Sequence, residues 1–423
     1  MVYRYNQENL NLYKESEKAL ELKTRYQYTY FIYPYVIEEK DYSKYLLRLL
    51  KDKKCTMKKF DIAKDLTIYQ NFLPNIRKFM FWSFNYTKQQ IKELENLDNE
   101  LKANIISKYP CTMFDYNIKQ NVQGKVQNED GIYFDITKVE LICFNTGICF
   151  LLFKTIIDGE NNNFSDVINF NYKFRDITSK ADGLKEFENI KIQTSNFKDA
   201  KDIKNFIKDI TGNSSLAADL NIEQERFITY SYVCISQEDW NENMDIQSIE
   251  KVFFKFFKVL PANKELNDIT MEDYFNKLPN SKYIKYGFSN VGTALLTSDI
   301  NVDNYTKLPF RFENEHLYLY ILCLYKKFYL AKVNYDLDKK DYQQEFLSFT
   351  KNFWIEEATS DETASCLEKN WTEKLGVDKL FNKIKNKYDM LYKSSNIEKT
   401  KIKQNIIILA LIVIILIIFY ALF

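Results

Sequence analysis

The last eighteen residues, 406–423 (IIILALIVIILIIFYALF), are apolar or aromatic without exception. No charge, Pro or Gly interrupts them. At about 1.5 Å per residue such a helix reaches roughly 27 Å, close to the roughly 30 Å hydrocarbon core of a bilayer. A buried core helix would keep a polar stripe, so the run is expected to be a single C-terminal transmembrane anchor. Ile406, Ile408, Leu411, Ile415, Ile418 and Phe423 mark it out. Lys399, Lys401 and Lys403 crowd its near edge, the bias that keeps a flanking segment on the cytoplasmic side. Membrane lipid is therefore an expected partner. No apolar segment follows Met1, so the expected topology is tail-anchored and single-pass, with the body in the cytoplasm.

Upstream of residue 404 the composition is that of a packed globular body. Hydrophobic residues make up 46% of the chain and aromatics 16%, too many for a disordered one. Lys and Arg number 59 against 58 Asp and Glu, so charge gives no case for nucleic acid. Seven scattered cysteines include no CxxC pair and read as small buried hydrophobes. A single histidine, His316, excludes multi-His zinc sites and leaves only one possible imidazole base.

Periodicity divides the body into an α+β part, 1–300, with a subdomain split expected near 180–225, and a helical stalk segment, 310–403. Residues 1–24 carry a helical tendency. Residues 26–37 (YQYTYFIYPYVI) are β-branched and aromatic, a strand with Pro34 at an edge or bulge. Residues 42–50, 71–84 and 88–106 show helical spacing, the last as one charged helix with Lys92–Glu95 and Asp98–Lys102 pairs. Residues 131–144 and 148–157 flank Asn145-Thr146-Gly147, a hairpin whose second arm is apolar on both faces. Residues 167–174 (VINFNYKF) alternate and read as a third strand, with further strands at 226–236 and 283–298. Helices are expected at 198–210, 249–260, 312–330, 340–353 and 360–403, the last open to a break at Gly376 through a turn over Leu375–Val377. The fold class expected is an α+β cytoplasmic body, a helical segment and one C-terminal transmembrane helix.

The chemical motifs are sparse. Gly287 and Gly292 have phosphate-loop spacing, but Thr293 stands where a Lys belongs, so a turn between strands is expected. Glu356, Glu357, Asp361 and Glu362 form a carboxylate cluster that could hold a divalent ion. Thr359 and Glu362 also fit a capping box, the stronger reading. Beyond Gly376 the residues Val377, Leu380, Phe381, Ile384, Tyr388 and Leu391 draw one apolar stripe. Such a stripe packs on its own body or meets copies of itself in a homo-oligomer. Lys387 interrupts a strict heptad seam.

The order of parts resembles the CorA-type magnesium transporter family across roughly 26–420. The hairpin region 131–157, the aromatic helix 312–330 and the stalk 377–403 entering Ile406 carry the resemblance. The chain departs from that family in lacking a Gly-Met-Asn tripeptide and a second apolar span. The resemblance implies a stalk-mediated homo-oligomer and assigns no ion-selecting residue. The leading function expected is a membrane-anchored sensor or interaction protein that assembles through its membrane-proximal helix. The alternatives are a CorA-like divalent-cation transporter or channel, and an anchored enzyme using Cys143, Cys149 or Cys234. No cofactor is legible.

Overall fold

The computed structural model describes residues 21–118, 123–125, 132–157, 163–177, 191–193, 201–212, 226–243, 246–266, 282–336, 340–352, 354 and 357–422. The expected lead at 1–24 falls mostly outside these residues. The chain divides into two units. The first comprises Met1–Tyr325 and Glu356–Leu375; the second comprises Lys326–Ile355 and Gly376–Phe423.

The strands, in chain order, are β1 (Thr24–Val36), β2 (Cys55–Met57), β3 (Cys111–Tyr116), β4 (Gln123–Lys125), β5 (Tyr133–Phe144), β6 (Ile148–Ile157), β7 (Lys191–Gln193), β8 (Lys201–Asp202), β9 (Ile228–Ile235), β10 (Ile284–Phe288) and β11 (Gly292–Ser298). The helices are α1 (Glu39–Lys51), α2 (Leu66–Asn71), α3 (Pro74–Met80), α4 (Lys88–Asn96), α5 (Asn99–Ile106), α6 (Phe164–Phe174), α7 (Ile203–Thr211), α8 (Ile246–Lys258), α9 (Lys307–Arg311), α10 (Leu317–Asp336), α11 (Lys340–Asn352), α12 (Glu362–Leu375) and α13 (Val377–Leu422).

The first unit is built on one sheet, ordered β10-β11-β9-β1-β6-β5-β4-β7-β8, with β3 also on β5 and β2 on β3. Among the described strands only the β9–β11 pairing is parallel. Alternation sends Phe31, Phe153 and Phe227 to one face, where Phe170 and Phe174 of α6 pack on them. The opposite face carries Tyr28, Tyr30, Tyr230 and Tyr232, covered by Phe312, Tyr320 and Trp371. Helices therefore cover both faces of the sheet, which explains the apolar character of β6 on either side.

Several local expectations hold. The hairpin forms, with Cys143 opposite Cys149 and Gly147 at φ 82°. Pro34 sits in β1 past the end of β9, which pairs only as far as Ile32, so its missing N–H deprives no neighbour. Pro74 opens α3 at its first turn.

Others are corrected. Residues 167–174 are not a strand but part of α6. The Asn163 N–H donates to Asp166 Oδ2 at 3.0 Å at the helix start, and buried Phe164, Val167, Ile168, Asn171 and Phe174 follow helical spacing. Residues 88–106 form two helices, because Asp98 Oδ1 accepts from Glu100 N and Leu101 N, both at 2.9 Å, and so caps α5. The turn left open at Leu375–Val377 within 360–403 does form, at Gly376, whose φ of 70° ends α12.

The largest correction concerns the C-terminus. Among the described residues no helix is long and apolar enough to cross a membrane. In α13 the described apolar side chains past the lysines are those of 406–411, Val413 and Ile414. Ile406, Ile408 and Leu411 are exposed positions of this helix. The side chains of Ile415, Ile418 and Phe423, like that of Lys399, lie outside the described residues. The expected transmembrane fold class, the tail-anchored single-pass topology and the membrane localisation give way to a mixed α/β architecture with a long terminal helix.

Candidate functional site

The densest set of interacting ionisable groups in the first unit lies on the tyrosine-bearing face of the sheet. β5 turns Lys138 and Glu140 to this face, β6 turns Lys154, and β1 turns Tyr30. Lys58 enters just past β2. Glu313 comes from a single π turn, Phe312–His316, between α9 and α10, and Tyr318 from the first turn of α10.

Glu140 is the hub. Its Oε2 lies 3.0 Å from Lys138 Nζ, and its Oε1 accepts from Lys58 Nζ and, at 3.1 Å, from Tyr318 Oη. Lys58 Nζ also donates to Tyr318 Oη at 2.6 Å and lies 3.9 Å from Asp115. Glu313 takes Lys154 Nζ and Tyr30 Oη, each at 2.6 Å, with Lys138 at 3.8 Å. Three ammonium groups thus meet three carboxylates.

Burial opposes the ionised form of Glu140, but Lys58 and Lys138 outweigh it and bring its carboxyl down to about 2. Burial likewise pulls on Lys58 and Lys138, yet the Glu140 charge holds both above the ordinary lysine value. Burial raises Asp115 against the pull of Lys58. Tyr30 and Tyr318 are pushed well up, first by burial and then by the neighbouring carboxylates. A general acid or base works best with a pKa near the operating pH. Here the charges are locked to one another, and the arrangement ties sheet to helix instead.

The carboxylate cluster of the sequence does not converge. Glu356 lies outside the described residues, and Glu357 and Glu362 are exposed. Asp361 caps α12, accepting from Ala364 N at 2.8 Å, and pairs with Arg311 at 2.7 Å. Thr359 Oγ1 donates instead to the Asn71 carbonyl at 2.6 Å. Among the described residues no group of three His, Cys, Asp or Glu side chains could hold a metal ion.

Gly287 and Gly292 flank the β10–β11 turn. A Cβ on Gly292 would come within 2.1 Å of Thr229 Oγ1, and one on Gly287 within 2.4 Å of the Phe257 ring. These glycines serve close packing. Burial raises the Cys149 thiol well above its ordinary range and the Cys234 thiol to about 11, which suppresses the thiolate a nucleophile needs. His316 is fully buried, and neither ring nitrogen has a hydrogen-bond partner. Burial and then Arg311 lower its pKa to about 3.

In the second unit the expected assembly stripe is largely covered. Val377 and Ile384 are buried, and Leu380, Phe381, Tyr388 and Leu391 are half-buried. Trp354 stacks on Phe381 with centroids 3.8 Å apart, and Phe346 of α11 lies 5.7 Å from Phe381 and 5.9 Å from Tyr388. Exposed apolar side chains begin at the end of this stripe. Met390, Tyr392, Ile397 and Ile402 are exposed, and from Ile406 onward every described side chain is exposed, Leu409 at 66%.

No known protein family, curated protein or solved structure matches this chain.

Proposed function

We propose that this chain is a non-enzymatic interaction protein that assembles with copies of itself through the exposed apolar end of α13. One observation carries the reading: the described side chains past the lysines, those of 406–411, Val413 and Ile414, face outward on a regular helix, with Ile406 at 61% exposure. An apolar surface of this kind marks a contact site. A second copy can cover it, since a helix apolar all round is stable only when surrounded. Lys393, Lys401 and Lys403 precede the segment and stay exposed. Their repulsion in a bundle is screened by salt over about 10 Å, so assembly gains from ionic strength.

An enzymatic reading has less support. The buried charges of the first unit compensate one another, and the Cys149 and Cys234 thiols are held protonated.

The test is a Leu409→Cys variant oxidised under mild conditions, with the parent chain as control. The reading expects a covalent dimer from the variant alone. A variant that stays uncrosslinked, or a monomeric chain that partitions onto lipid vesicles, overturns it.

A further inference from the structure

A second feature of the first unit is independent of assembly. α4 places Gln90, Glu93, Leu94 and, at its end, Leu97 on one face by three- and four-residue spacing. That face, with Ile105 of α5 and the rings of Trp82, Tyr86 and Tyr109, lines an open groove of about 340 Å³. This lies within the range of about 300–1,000 Å³ typical of small-ligand sites.

The wall has a definite electrostatic sense. Trp82 and Tyr109 are stacked with centroids 5.2 Å apart, and Tyr86 lies against both at 5.9 and 5.7 Å. Rings this close leave no room for a guest between them, and Trp82 is only 3% exposed, so a guest would lie on the outer faces of Tyr86 and Tyr109, where the π quadrupole is negative. Burial and a hydrogen bond with Tyr86 raise the Tyr109 phenol, so its ring stays neutral. Among the described lining residues Glu93 is the one charged side chain, and none is Lys or Arg. Glu93 accepts from Gln89 Nε2 at 3.0 Å, which fixes it on the helix surface. Leu94, Leu97 and Ile105 supply an aliphatic wall.

We propose that this groove binds an alkylammonium group: a quaternary ammonium seated on the aromatic faces, its charge met by Glu93 and its carbon chain by the leucines. The same chemistry occurs on a free choline-like metabolite and on a trimethylated lysine of a protein.

The experiment is calorimetric titration of the full chain with choline, with its neutral isostere 3,3-dimethylbutan-1-ol, and with a trimethyl-lysine peptide. The isostere is expected to bind at least about tenfold more weakly than choline, the factor that cation–π and ionic contacts of this kind supply. Glu93→Gln and Tyr86→Leu, both at exposed positions, are expected to weaken choline by a similar factor while circular dichroism stays unchanged. Tighter binding of the peptide than of choline would assign the groove to a protein ligand, the reverse order to a metabolite; either supports the site. Equal binding of choline and the isostere, or no binding of choline and peptide at millimolar concentration, overturns it.

Discussion

Lys138 and Glu140 stand two residues apart on the same face of β5, and their charges meet at 3.0 Å inside the first unit. Glu140 is also bound by Lys58 and Tyr318, so one carboxylate joins the strand to the segment after β2 and to α10.

Removing the hub should therefore cost more than a surface pair would. Glu140→Ala leaves the half-buried Lys58 and Lys138 with only the more distant Asp115 and Glu313 as counter-ions, and breaking a fully buried pair costs about 3–5 kcal/mol, the upper bound for this variant. Urea unfolding of the variant should show that loss. A change under about 1 kcal/mol, the size of an exposed pair, would mean that the network is solvated.

Stability should fall on the acid side in two stages. His316 is neutral in the fold with a pKa of about 3, against an ordinary 6.5. Its unfolded form takes a proton that the folded form refuses, so stability declines as pH drops through 6.5 and goes on declining towards 3. At pH 5 this amounts to roughly 2 kcal/mol at about 1.4 kcal/mol per pH unit. Glu140, depressed to about 2 from 4.5, stabilises above 4.5 and loses that contribution as pH falls from there towards 2. His316→Leu removes a buried polar ring that lacks partners, so it should be neutral or stabilising at pH 7 and should flatten the first stage. Chemical denaturation across pH 4.5–7.5 reads the difference between the two proteins.

Two glycines separate backbone strain from steric overlap. At Gly376, φ is 70° and no atom lies within 4 Å of an added Cβ, so Gly376→Ala should cost only the left-handed strain, about 1–2 kcal/mol. At Gly147, φ is 82° and a Cβ would come within 2.0 Å of the Ile37 carbonyl oxygen. Gly147→Ala should exceed the Gly376 penalty clearly in thermal melts of the full chain. Equal penalties would argue against the tight hairpin.

In the second unit Phe346 is buried against Phe381 and Tyr388. Phe346→Ala should cost about 3–5 kcal/mol. Hydrogen exchange should localise the loss of protection to α11 and α13, leaving the sheet protected. Loss of protection in β1 and β6 instead would mean that the two units unfold as one.

Much of the fold was legible where a single physical signal dominated. Asn145-Thr146-Gly147 needs a positive φ, and the strands on either side follow from it. Gly376 ended a helix for the same reason. Residues 167–174 misled because VINFNYKF fits both a two-residue and a helical period, and the deciding residues, Asn163 and Asp166, lie just ahead of it. The charge network left a trace: Lys154 is the lone charge in ICFLLFKTII, and charges are almost never fully buried unless paired. Its partner Glu313 is 159 residues away, a distance that no local pattern spans. The stripe 377–391 was read correctly as apolar, but what covers it, Phe346 and Trp354, depends on the path of the chain. The aromatic groove combines three segments and has no single sequence signature.

The account rests on self-association through the end of α13, and sedimentation equilibrium tests it most directly. The full chain and a chain ending at Lys403 are compared at matched concentration in detergent-free buffer. The account predicts a defined oligomer for the first and a monomer for the second. A monomer in both, or the same oligomer in both, would contradict it.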